Sequence, residues 1–179
     1  MLKRISSGLL LALAATVMAA AAVPQESKSA PLAKQLARAL DAAKLDSVAA
    51  ADPATGSFVA ALYIPGTQLL VVSGKFDNPE IGNHRLSQKA YRDLYMDLMG
   101  ASVAGTRQFA ADVSCDGFVF KPESDAAADS WEIGNKTHAF EGAKKAKLSD
   151  EQYLKSYAEA DSQYAHILEL LIAKMKPGT

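Results

Sequence analysis

The chain has 179 residues, with 20 acidic against 19 basic side chains and a formal net charge of −1. That balance gives no electrostatic basis for a nucleic-acid partner or for an anionic membrane surface. A single cysteine, Cys115, excludes an internal disulfide framework, and burial as a small hydrophobe is the ordinary fate of such a thiol.

The N-terminus has the composition of an export signal. Lys3 and Arg4 precede an almost unbroken apolar run from Gly8 to Ala22, which closes on the small residues Ala20, Ala21 and Ala22. The run is short and Ala-rich for a permanent span, so we expect residues 1–22 to be a cleaved secretory signal. No cysteine follows the run to take a lipid. No twin arginine precedes it, so export in an unfolded state is expected. The product would be 157 residues with 17 basic and 20 acidic groups, a net charge of −3, in the periplasm or secreted. That length suits one domain. We expect residues 23–30 to be a flexible lead-in and residues 31–179 to form the domain.

Leu32, Leu36 and Leu40 recur every four residues and predict an amphipathic helix over about 30–44. Ser29 is placed to cap it, and Pro31 falls in its first turn. A short apolar strand over 47–51 is expected next, then a turn at Asp52-Pro53-Ala54-Thr55-Gly56. Phe58 to Ser73, FVAALYIPGTQLLVVS, predicts two buried strands joined at Pro65-Gly66, which suits the central positions of a type II turn. Both faces of these strands are apolar, so both must be covered.

Lys75 to Arg85 is polar and rich in turn residues. Lys89 to Met99 fits a helix template through Tyr91, Leu94, Tyr95 and Leu98, and a strand template through Leu94, Met96 and Leu98; we favour the helix. A strand over 106–113 follows, with a turn at Asp116-Gly117 and an extension over Phe118 to Phe120. Ser130 to Ile133 and Lys136 to Phe140 flank Gly134-Asn135 as a small hairpin. Ser149, Gln152 and the apolar stripe behind them predict a capping box and a helix to about Met175. The order of elements predicts an α+β domain. Its sheet should be largely antiparallel, curled or barrel-like, packed by an N-terminal helix and a long C-terminal one.

The chemistry is sparse. There is no GxSxG, no phosphate-binding Walker loop and no GxGxxG. His138 and His166 read as surface or packing residues. Asp112, Asp116, Asp125 and Asp129 lack the alternate spacing and terminal Glu of a calcium loop. Asp77, Glu80 and His84 match no dedicated metal motif, so no metal is predicted. Asp161 lies one turn from Tyr157 and from Tyr164, where it reads as a structural acceptor of tyrosine hydrogen bonds. The candidate ligand site is the group Ser73, Lys75, His84, Arg85 and Lys89, hydroxyl and cationic donors suited to a phosphate or carboxylate.

Two functions fit. One is a non-enzymatic exported module that binds a small ligand or a protein, without a cofactor. The other follows from element order: a helix, an antiparallel hairpin and further strands resemble the split barrels that bind flavin or haem. That resemblance implies a cofactor, redox activity and a homodimer.

Overall fold

In a computed structural model the described residues are 26–52, 54–78, 80, 103–119, 129–133, 136–139 and 147–176. They form helix α1 (Ser29–Ala43), strands β1 (Ser47–Ala51), β2 (Ser57–Ile64), β3 (Gln68–Phe76), β4 (Val103–Val113), β5 (Ser130–Ile133) and β6 (Lys136–Ala139), and helix α2 (Asp150–Met175). Among the described residues the strands pair only with their sequence neighbours, all antiparallel, in the order β1-β2-β3-β4-β5-β6. The architecture is α+β. As expected, the sheet is antiparallel and packed by an N-terminal and a C-terminal helix; among the described residues β1 and β6 are its two ends, and it is not closed into a barrel.

Local chemistry explains the elements. Ile64 pairs with Gln68 across Pro65-Gly66-Thr67, and the Thr67 N–H donates to the Ile64 carbonyl at 3.0 Å. Gly66 has φ +67°, the left-handed geometry that the third position of a type II turn requires. Ser149 accepts from the Gln152 N–H while the Gln152 side chain accepts from the Ser149 N–H, so the capping box starts α2 as expected. At the end of α1, Lys44 takes φ 55° where glycine is the usual residue.

Alternation along β2 and β3 sends residues to two cores. Val59, Ala61, Tyr63, Leu69 and Val71 face the helices, where Leu36 and Leu40 of α1 meet Tyr164, Leu168 and Leu171 of α2. Phe58, Ala60, Val72 and Phe76 form a second buried cluster with Ala49 on the other face, with the Phe58 and Phe76 rings 4.6 Å apart. Both faces of the central strands are therefore buried, as their composition demands.

Two local expectations fail. The strand does not resume at Phe118: β4 ends at Val113, because Ser114 and Cys115 take φ 77° and 55°, and Phe118 turns into the core. Ser29 is not the cap of α1; it lies inside the first turn. The stretch from Ser27 to Ala30, expected at the end of a flexible lead-in, is hydrogen-bonded into the fold.

Candidate functional site

Among the described residues, the buried polar side chains Ser29, Asp112, Asp129 and Asp161 gather at one corner, where the start of α1, the middle of α2 and the loop after β4 meet. β4 sets up the corner by period two. Gln108, Ala110 and Asp112 share its helix-facing row, so an acid lands inward at the strand's end, fully buried. The loop then wraps this carboxylate. The N–H of Asp116 donates to Oδ1 at 3.1 Å, and the N–H of Gly117 to Oδ1 and Oδ2 at 3.1 and 3.0 Å. Tyr164 of α2 donates its hydroxyl to Oδ2 at 3.0 Å. Each Asp112 oxygen thus accepts two hydrogen bonds. Burial still outweighs them and pushes this carboxyl up to about 6, with the charge of Asp116 adding to the rise.

The second buried carboxylate is Asp161 on α2. Its Oδ1 accepts from the Ser27 and Ser29 hydroxyls at 2.8 and 2.7 Å and from the Ser29 N–H at 3.1 Å; its Oδ2 accepts from the Lys28 N–H at 2.7 Å. An acid from one helix therefore caps the N-terminus of another, where free N–H groups and the helix dipole favour negative charge. The structural role expected of Asp161 holds, with Ser27, Lys28 and Ser29 as donors to it. Tyr164 is taken by Asp112.

Ser29 joins the two halves. Its hydroxyl donates to Asp161 and accepts from the Phe118 N–H at 2.8 Å. Beside it, a Cβ on Gly117 would lie 2.4 Å from the Ala30 nitrogen, so only glycine lets the loop sit against α1. Phe118 stacks on Tyr164 at 4.5 Å and meets the edge of Trp131 at 5.8 Å.

Asp112, Asp116 and Asp129 bring one carboxylate oxygen each to within 4.8 Å of one another. Such an arrangement suits a hard cation when its lone pairs are open. Here both Asp112 oxygens are filled, and Asp129 Oδ1 accepts from the Val113 N–H at 2.9 Å. The cluster reads as hydrogen-bonded scaffold. Cys115 is buried beside it, and desolvation followed by the charge of Asp112 pushes its thiol up to about 11. It is no nucleophile at neutral pH.

Of the candidate ligand residues, Ser73 and Lys75 lie near the end of β3, on either side of a bulge. Ser73 is half-buried on the helix-facing row and donates to Gln108 Oε1 at 3.1 Å; Gln108 Nε2 donates in turn to Gln163 Oε1 of α2 at 3.2 Å. Lys75 is exposed. His84, Arg85 and Lys89 lie outside the described residues, as does the whole segment Lys89 to Met99 and the expected signal over 1–22. Of the other metal candidates, Asp77 and Glu80 are exposed. His166 is exposed on α2 with Nδ1 3.8 Å from Glu169, the solvated position its neighbours implied. His138 occupies the β6 position paired with Trp131.

The Asp112 node was not singled out from sequence. A signal for it exists: an acid on the inward row of a strand, four residues before Asp116-Gly117. The partnership of Ser29 with Asp161, 132 positions away, leaves no local trace.

No family model, curated protein or solved structure matches this chain.

Proposed function

We propose that the chain is an exported, non-enzymatic module that binds a small anionic ligand or a protein. The observation that carries the reading is the state of the two buried carboxylates. Between them, Asp112 and Asp161 accept from seven backbone-amide and hydroxyl donors, all from the elements they join. A general acid or base has to reach a substrate; these two groups are enclosed and committed to architecture. Export is supported by the residue pattern over 1–22. Ligand binding is supported by the hydroxyl of Ser73 and the ammonium of Lys75, which share the end of β3 just before the polar segment that carries His84, Arg85 and Lys89.

The split-barrel alternative rests on the order of elements alone, and among the described residues the sheet is not closed into a barrel. Native mass spectrometry with an absorbance spectrum of the exported chain tests the choice. We expect a polypeptide beginning at Val23 with no visible band. A flavin or haem band with the matching added mass would overturn this reading in favour of a redox protein.

A further inference from the structure

The end of the sheet away from Asp112 carries a polar chain with an open end. Gln108 and Asp112 share the helix-facing row of β4, and α2 bonds to both: Tyr164 donates to Asp112 Oδ2, and Gln163 Oε1 accepts from Gln108 Nε2. Helix α2 therefore crosses β4 between these two residues. α1 is seated at the Asp112 end, where Gly117 meets Ala30. At the Gln108 end Ser73 and Gln108 are half-buried, and Lys75 and Gln163 are exposed.

The chain has a direction. Ser73 Oγ donates to Gln108 Oε1 at 3.1 Å, and Gln108 Nε2 donates to Gln163 Oε1 at 3.2 Å. Both amide oxygens are thereby engaged. What remains on the two side chains is donors: one N–H of Gln108 and both of Gln163. An amide whose oxygen accepts a hydrogen bond is the stronger donor at its nitrogen, so polarity accumulates toward the exposed Gln163.

Lys75 adds a full charge. Its register with β2 runs unbroken from Ser73, so the two side chains share a face one pleat apart, about 7 Å along the strand. Among the described residues its ammonium has no ion pair or hydrogen bond. The acid of the same cross-strand row, Asp52 beside Ser57, is engaged by the Ala54 N–H and the Thr55 hydroxyl. One free cation among neutral N–H donors matches a singly charged group whose oxygens accept several hydrogen bonds. A carboxylate is such a group, whereas a phosphate dianion would keep a charge uncompensated.

We propose that Gln108 and Gln163 are specificity-determining residues of the ligand site at the end of β3, and that with Lys75 they take the carboxylate of a small monocarboxylic acid. The inference rests on the binding-module reading and adds to it the chemical class of the ligand.

The test is an NMR titration of the processed chain with sodium lactate, followed at the side-chain NH₂ signals of Gln108 and Gln163. Lactamide, the uncharged amide of the same acid, is the control, and inorganic phosphate is the competing class. We expect saturable shifts of both signals with lactate, none with lactamide and smaller ones with phosphate. Gln163→Ala, a change at an exposed position, should weaken lactate binding about tenfold. Lactate binding that maps elsewhere, or that Gln163→Ala leaves unchanged, overturns this inference and leaves the binding-module reading standing. Larger shifts of the same signals with phosphate overturn the choice of carboxylate. No saturable binding of either anion counts against both. The wild-type map decides even if the variant does not fold.

Discussion

Gly117→Ala tests whether the loop after β4 is the seat of α1. The added methyl would sit 2.4 Å from the Ala30 nitrogen, 2.5 Å from its Cα and 2.7 Å from the Ser29 carbonyl carbon, all backbone atoms that cannot rotate away. Forcing an alanine to φ +77° costs about 1 kcal/mol or more. Displacing packed backbone adds roughly 1–3 kcal/mol. A shift of α1 also weakens the Phe118 N–H bond to Ser29 and the Asp161 cap, each worth about 1 kcal/mol. The expected loss is about 3–5 kcal/mol, a fall in Tm of about 10 °C for a chain of this size. Urea unfolding followed by the fluorescence of Trp131 reads it, because the chain's one tryptophan is buried beside Phe118 and Tyr164. Gly66→Ala is the control. It shares a left-handed φ of +67° but meets nothing within 4 Å, so it should lose only about 1 kcal/mol. Equal losses at the two glycines would refute the seating argument.

Asp161→Ala strands the Lys28 and Ser29 amide donors and two hydroxyls, and should lose about 3 kcal/mol in the same urea assay, with α1 amides exchanging first. Lys44→Gly should gain about 1 kcal/mol, since it relieves a left-handed lysine at the end of α1; a loss would mean that the lysine side chain contributes to the fold. Cys115 should resist a thiol-specific disulfide reagent at pH 7.5 in the folded chain and react promptly in urea, given a buried thiol raised to about 11.

Much of the fold was legible because it is written in short-range pattern. Phe58 to Ser73 announces a hairpin through an apolar run broken only at Pro65-Gly66, and the pairing of Ile64 with Gln68 follows from it. Ser149 and Gln152 start α2, and the spacing of Tyr153, Tyr157, Tyr164, Leu168 and Leu171 sets its inward face. What failed depends on distant partners. Ser29 looked like a cap because capping residues usually serve their own helix, yet the carboxylate that caps α1 comes from α2. Phe118 looked like a strand residue because its neighbours are apolar. The left-handed turn at Ser114 and Cys115 has no residue signature, being held by Thr67, Ser29 and Asp112. Closure of the sheet could not be read either, since composition states that both faces are covered but not by what.

The candidate site was legible only in part. Ser73 and Lys75 fall near the end of β3, the engagement of Ser73 with Gln108 needed the register of β3 against β4, and His84, Arg85 and Lys89 lie outside the described residues.

The most direct test of the binding-module account is a thermal-shift titration of the processed chain with inorganic phosphate and with citrate, beside a Lys75→Ala/Arg85→Ala variant. A ligand that binds the folded state alone raises Tm with concentration, by about 2.7 kcal/mol of stability at 100 times its Kd. The account predicts a saturable rise with at least one of these anions in the wild type and none in the variant. The same rise in both proteins, or no rise in either, would contradict it.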